Sequence, residues 1–165
     1  MKRIQNFAML GMVMYLTACA PSQNHERTKQ PSLAELYADK FLIGTALNTW
    51  QVEGRDSMTT QIVLQHFNAV VPENCMKSEV IHPEENRYHF KDADAIVDFA
   101  QKNGKVITGH CLIWHSQCAP WFFLDKEGKQ IGPEVLKQRM KDHITTVVKH
   151  FGDKIKGWED RKSVV

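Results

Sequence analysis

Strand-like and helix-like segments alternate along most of this chain, and that alternation restricts its fold more than any other feature. Four short apolar segments are typical of buried strands, namely residues 41–47, 67–71, 105–110 and 154–158. Four other segments carry apolar residues at helical spacing, namely residues 33–39, 59–66, 93–102 and 133–151. Strands that alternate with helices predict parallel β/α units, in which helices cover the sheet. About three and a half such units suit either the N-terminal part of an eight-stranded TIM (β/α)8 barrel or a small, complete open α/β sheet.

Residues with capping preferences mark the ends of two predicted helices. Asp92 is the predicted N-cap of the helix over 93–102, and Asn103-Gly104 is a stop signal after it. Gly152 is predicted to end the long helix over 133–151.

The first 19 residues are typical of an export signal. Lys2 and Arg3 precede an apolar stretch from Phe7 to Leu16, which is too short to span a bilayer because a spanning helix needs about 20 apolar residues. The stretch ends in Leu16-Thr17-Ala18-Cys19, which resembles a bacterial lipobox, where the cysteine is acylated and the chain is cut before it. A plain signal peptide cut near Ala18 and a buried N-terminal helix are the alternatives.

These features predict three regions. Residues 1–18 form a lipoprotein signal peptide, and residues 19–32 hold the lipidated Cys19 and a polar tether with two prolines. Residues 33–165 form the folded domain. The predicted location is therefore membrane-anchored through Cys19, on the periplasmic or cell-surface face.

Charge and cysteine content exclude other classes. The formal net charge is +2 and the basic residues are scattered, so the sequence predicts no nucleic-acid partner. Apart from Cys19, the chain holds Cys75, Cys111 and Cys118. An odd number allows one disulfide at most, and the sequence favours buried free thiols.

A polar cluster follows the second predicted strand. Because parallel β/α folds place function at the carboxyl ends of strands, Glu73, Asn74 and Lys77 are candidate ligand-binding residues. Together they offer acceptors, mixed donors and a cation, a combination that suits hydroxyl-rich ligands. A capped loop with solvated charges is the alternative.

A second cluster, Gly109 to Gln117, follows the third predicted strand. A tryptophan can pack on the C–H face of a sugar ring while histidine and glutamine bond its hydroxyls. The alternatives are a buried Trp114 among core histidines, and a metal site at His110, Cys111, His115 and Cys118. Those four lack the paired spacing of Cys/His zinc sites, so no metal is predicted.

Four ordered motifs resemble glycoside hydrolase family 10. They are Phe67-Asn68-x-x-x-x-Glu73-Asn74-x-Met76-Lys77, Pro83-x-x-Asn86-x-Tyr88-x-Phe90-x-x-Ala93-Asp94, Gly109-His110-x-Leu112-x-Trp114-His115-Ser116-Gln117 with Pro120-Trp121, and His143-Ile144 with Gly152-Asp153-Lys154-Ile155. The resemblance covers about Phe41 to Trp158, and it favours the incomplete TIM barrel over the open sheet.

The resemblance implies a retaining endo-1,4-β-xylanase that cleaves internal β-1,4-xylosidic bonds in xylan or xylo-oligosaccharides, without a cofactor. It implies that Glu73, Asn74 and Lys77 bind xylose hydroxyls on the non-reducing side of the cleaved bond. His110 and Trp114 are expected to line the cleavage subsite, and Gln117 to bond the neighbouring sugar. His115 is expected to lie behind the residues that touch the ligand.

The chain departs from the family pattern after Trp158. The family's acid/base glutamate ends the motif Trp-Asp-Val-Val-Asn-Glu, whereas here Glu159 replaces the aspartate and Ser163 stands at the expected acid position. Retaining hydrolysis needs two carboxyl groups about 5–5.5 Å apart, and the nucleophile's strand is not found in this sequence. The expectation is an inactive, truncated xylanase. A non-catalytic xylan-binding lipoprotein and a small α/β lipoprotein of xylanase ancestry are the alternatives.

Overall fold

The computed structural model describes residues 30–162, with side chains described as far as Glu159. Its strands are β1 (Gly44–Leu47), β2 (Ala69–Pro72), β3 (Val106–Trp114) and β4 (Gly157–Lys162). Its α-helices are α1 (Leu33–Leu36), α2 (Thr49–Val52), α3 (Ser57–His66), α4 (Ser78–Ile81), α5 (Lys91–Lys102) and α6 (Pro133–Phe151). Short 3-10 helices cover Pro120–Phe122 and Gly152–Lys154.

The four strands form one parallel sheet in the order β1-β2-β3-β4. Leu47 at the end of β1 pairs with Pro72 at the end of β2, and Gly109 in β3 pairs with Trp158 in β4. Sequential parallel strands joined by helices confirm the predicted β/α units. The register also brings the carboxyl ends of neighbouring strands to one edge of the sheet.

The core lies between the sheet and its helices. Helix α5 buries Ala93, Ile96, Val97 and Ala100 completely, and α6 contributes Val147 and Phe151. They meet Leu47, Val70 and Ile107 from three strands. Each fully buried large aliphatic or aromatic side chain contributes about 1.5–3 kcal/mol relative to exposure. This packing holds the strand ends in place.

The other face of the sheet is open among the described residues. A groove of about 370 Å³ is lined by Gly44, Thr45, Ala46, Ala69, Val70, Val71 and Thr108. Exposed apolar side chains also lie before β1 and on α3, among them Phe41, Leu42 and Ile62. None of the described helices is long and apolar enough to cross a membrane.

Two of the differences from the predicted element boundaries have a clear physical cause. Helix α5 begins at Lys91 after Phe90, so Asp92 is not its N-cap but lies in the first turn, where its negative charge favours the helix dipole. Strand β3 continues to Trp114, although the third strand was predicted to end at His110. Pairing with β4 extends it, with a register shift between His110 and Ile113, and the His110–Cys111 peptide is cis. The predicted end of this helix at Asn103-Gly104 is confirmed. Gly104 has a φ of +61°, a left-handed conformation that ends the helix.

Candidate functional site

The first predicted cluster lies at the carboxyl end of β2, as the strand-end rule requires. The Glu73 backbone N–H donates to the Leu47 carbonyl at 2.9 Å, which extends the pairing of β1 and β2 by one residue. The Glu73 side chain is exposed, whereas Lys77 is only 8% exposed. The carboxylate is thus accessible to a ligand, and the ammonium group lies at the bottom of the site.

Lys77 connects the two predicted clusters. Its Nζ donates to Asn74 Oδ1 and to Gln117 Oε1, both at 2.7 Å, and lies 5.4 Å from the centre of the Trp114 ring. A cation at that distance from an aromatic ring is attracted to its π face. The structure therefore brings Asn74, Lys77, Trp114 and Gln117 into one site, although Gln117 is 40 residues from Lys77.

Gln117 is held in position by its own backbone and by Glu79. It has a φ of +49°, its carbonyl accepts from the Glu79 N–H at 3.1 Å, and its Nε2 donates to Glu79 Oε1 at 3.0 Å. Glu79 itself is exposed but bonded to the site. These contacts direct Gln117 Oε1 at Lys77.

His110 lies on β3 beside a cleft. Its Nδ1 is hydrogen-bonded to the Glu159 carboxylate on β4. Because an ionised carboxylate only accepts, Nδ1 carries the proton. A cleft of about 360 Å³ is lined by Ala46, Val71, Pro72, Glu73, Lys77, His110 and Glu159. Residues from both predicted clusters therefore line one cleft on the open face of the sheet.

His115, unlike the six predicted binding residues, was not expected to touch the ligand. It is exposed, and its ring meets the Trp114 ring edge-on with centroids 6.0 Å apart. His115 therefore lies beside Trp114, and its place behind the residues that touch the ligand stays a prediction.

Asn48 is a site residue that the sequence analysis missed. It follows β1 directly, and its Nδ2 donates to Glu73 Oε2 while its Oδ1 accepts from Asn74 Nδ2 at 3.3 Å. The strand-end rule that selected Glu73 also applies here. The signal was weak because Asn48 has no charged neighbour in the sequence to form a visible cluster.

His143, from the last motif, belongs to the core and not to the cleft. It is completely buried on α6, and His82 is 3% exposed. Their Nδ1 atoms are 3.1 Å apart, and His143 Nε2 contacts the Leu112 carbonyl at 3.0 Å. Burial lowers the pKa of each imidazole to about 4. Both histidines are therefore neutral near pH 7.

Cys75 and Cys118 are free thiols. Cys75 and Cys111 are buried as predicted, whereas Cys118 is partly exposed. Burial raises the pKa of the Cys75 thiol to about 12 and also raises that of Cys118. Both thiols stay protonated near neutral pH, which makes them poor nucleophiles.

Two predicted positions fall outside the described residues. They are Cys19, the predicted lipidation site, and Ser163, at the expected acid position.

Comparison with known proteins agrees with the fold and the motifs. The model of glycosyl hydrolase family 10 matches residues 32–160. Endo-1,4-beta-xylanase A of Xylanibacter ruminicola is 46% identical over 159 residues, which are 96% of this chain and 41% of that protein. The chain thus spans about two-fifths of the length of this relative.

Solved structures give the same result. The endo-1,4-beta-xylanase of Caldicellulosiruptor owensensis is 41% identical with a TM-score of 0.71, over 78% of this chain and 38% of that one. An intracellular xylanase of Thermoanaerobacterium saccharolyticum, solved with xylotetraose, is 38% identical with a TM-score of 0.74, over 79% and 42%. The described sheet and helices therefore form part of a TIM barrel, and the chain belongs to glycosyl hydrolase family 10.

Proposed function

We propose that this chain supplies the part of an endo-1,4-β-xylanase that holds xylan on the non-reducing side of the cleaved bond. The observation that carries the proposal is the convergence of six polar and aromatic side chains at one edge of the sheet. They are Glu73, Asn74, Lys77, His110, Trp114 and Gln117. The relatives with this fold are xylanases, and one of them was solved with xylotetraose.

The chemistry of the cleft supports a sugar ligand. A sugar hydroxyl both donates and accepts, and the cleft offers the Glu73 carboxylate as acceptor and the Lys77 ammonium as donor. The Trp114 ring supplies an apolar surface near that cation. A neutral, hydroxyl-rich chain suits such a site better than an ionic ligand, since both charge signs are present.

Binding of xylotetraose to the 165-residue chain tests this proposal. Isothermal titration calorimetry should show binding that weakens at least about tenfold in Lys77→Met, because a hydrogen bond to a charged group contributes about 1.5–3 kcal/mol. Lys137→Met, which changes an exposed lysine on α6, is the matched control and should bind like the parent. Equal affinity of Lys77→Met and parent for xylotetraose would contradict this placement of the site.

We further propose that the 165-residue chain by itself does not hydrolyse xylan. Hydrolysis with retention needs a carboxyl acid/base and a carboxylate nucleophile. The pattern of the family places the acid at Ser163, whose hydroxyl is far too weak an acid for this role. Holding the substrate does not accelerate the reaction unless the transition state is favoured over the ground state.

A reducing-sugar assay on xylan tests whether the chain by itself is inactive. The purified chain should release no more sugar than a buffer blank, whereas a chain extended with the later strands of a family 10 barrel should cleave xylan with retention. Release of sugar by the chain itself, abolished in Glu73→Ala, would show that the catalytic acid has been misplaced. Xylotetraose binding by the 165-residue chain, with no cleavage even after the later strands are added, would favour the non-catalytic xylan-binding lipoprotein.

The export signal motivates a proposal about location. The sequence Leu16-Thr17-Ala18-Cys19 after an apolar stretch supports acylation of Cys19 and anchoring to a membrane that faces the periplasm or the exterior. In a bacterial host, Cys19→Ala should move the protein from the membrane to the soluble fraction. Membrane fractionation that is unaffected by Cys19→Ala, with no lipid on Cys19 by mass spectrometry, would exclude the anchor.

A further inference from the structure

We propose that Asn48 is a positioning residue that fixes the hydrogen-bonding directions of the substrate-binding side chains. This inference rests on the proposed xylan-binding function of the site. Asn48 stands at the end of β1 and contacts two candidate binding residues at once, Glu73 through Nδ2 and Asn74 through Oδ1. It would act on the substrate through those two residues.

The direction of each hydrogen bond in this network follows from Lys77. An ammonium group can only donate, so the Asn74 oxygen must face Lys77 and the Asn74 NH2 group must face away from it. The NH2 group of Asn74 then donates to the oxygen of Asn48, which is 3.3 Å away. The NH2 group of Asn48 is thereby directed at the Glu73 carboxylate.

The consequence for Glu73 is a fixed orientation. One carboxylate oxygen, Oε2, is held by Asn48, and the side chain is exposed at the cleft. A carboxylate has about four acceptor positions, so the remaining ones are available for sugar hydroxyls. Without Asn48 the exposed Glu73 side chain would sample several rotamers, and a ligand would have to order it on binding, which weakens the affinity.

The backbone holds Asn48 in this role. Its N–H donates to Gln51 Oε1 at 2.8 Å, which ties it to the start of α2. The preceding residue, Leu47, is almost fully buried and pairs with Pro72, the residue before Glu73. Asn48 and Glu73 therefore stand side by side on adjacent strand ends, and the contact needs no rearrangement.

The amide of Asn48 can donate to Glu73 and accept from Asn74 at the same time, which neither a carboxylate nor a methyl group can do. An aspartate at position 48 would present oxygen to both Glu73 and Asn74, so its repulsion from Glu73 should disappear only when a carboxyl takes up a proton. Alanine would leave both neighbours without this partner. The two substitutions therefore separate a directional role of Asn48 from a merely structural one.

Xylotriose binding to the full 165-residue chain, measured by calorimetry between pH 4 and pH 8, tests the inference. At pH 7 both Asn48→Ala and Asn48→Asp should bind about tenfold more weakly than the parent. The affinity of Asn48→Asp should recover at least threefold toward pH 4, because a protonated carboxyl can donate to its neighbour, and that of Asn48→Ala should not. Gln138→Ala, which removes an exposed amide on α6, is the control and should bind within about twofold of the parent.

A second measurement needs no ligand. Solvent exchange of the Asn74 side-chain NH2 hydrogens, followed by NMR, should be several-fold faster in Asn48→Ala than in the parent and unchanged in Gln138→Ala. Far-UV circular dichroism checks that each variant is folded. Unchanged exchange in Asn48→Ala, or an affinity of Asn48→Asp without recovery at low pH, overturns the role of Asn48. A parent chain that shows slow exchange but does not bind xylotriose refutes the proposed function instead.

Discussion

Acidification should destabilise this protein through the buried pair of His82 and His143. Their Nδ1 atoms are 3.1 Å apart, and the Leu112 carbonyl accepts from His143 Nε2. The proton of His143 is therefore on Nε2, so His82 must donate from its own Nδ1 to the unprotonated Nδ1 of His143. Among the described residues, His82 Nε2 has no hydrogen-bond partner.

The surroundings explain why a second proton is resisted. The His82 ring stacks on Tyr88 with centroids 3.8 Å apart, and it meets Trp121 at 4.5 Å and Phe122 at 5.7 Å. Burial among these rings disfavours an imidazolium ion, and the neighbouring His143 adds to the effect on His82. Protonation would also break the contact between the two Nδ1 atoms once both carried a proton.

The sign and size of the effect follow from linkage. Burial lowers the pKa of both histidines from 6.5 to about 4, so between these values the unfolded chain binds more protons than the folded chain. The free energy of unfolding is therefore highest above about pH 6.5 and decreases as the pH falls toward 4. At pH 5 each imidazole lowers the free energy of unfolding by about 2 kcal/mol. The pair lowers it by about 2–4 kcal/mol because the two histidines are coupled.

Guanidinium unfolding at pH 7 and pH 5, followed by tryptophan fluorescence, measures this loss. Trp121 is a suitable reporter because its Nε1 donates to the His82 carbonyl at 3.0 Å. His82→Gln should remove about half of the loss, whereas His89→Gln, an exposed control, should retain all of it. If His82→Gln shows the same loss between pH 7 and pH 5 as the parent, the buried pair is not its cause.

Two further predictions concern packing. A Cβ on Gly109 would lie 2.2 Å from the Trp158 ring, so Gly109→Ala should cost about 1–3 kcal/mol in urea unfolding. Gly132→Ala, where a Cβ meets nothing within 4 Å, should change stability by less than about 0.5 kcal/mol, and equal effects of the two would refute the clash. Phe122→Ala should cost about 3–5 kcal/mol because Phe122 is 1% exposed. The same change at its neighbour Phe123, which is 37% exposed, should cost much less, and similar losses at both would contradict the burial.

The sequence by itself determined the order of the main elements and selected most of the proposed binding residues. Helix α6 has the predicted bounds, Pro133–Phe151, because a long amphipathic helix carries a signal over several turns. Glu73, Asn74 and Lys77 could be selected as candidates because they follow a strand closely in the chain. The short helices α2 and α4 were missed, since four residues are too few to show a helical period.

Tertiary structure decided how far β3 extends and which side chains meet. Trp114 stands on a strand because β4 pairs with β3 across a sequence separation of 49 residues between Gly109 and Trp158, and no local pattern encodes that pairing. Asn48 reaches Glu73 only because β1 and β2 lie side by side in register. A hydrogen bond depends on distances of about 3 Å between atoms, and the sequence specifies those distances only through the packing of the whole sheet.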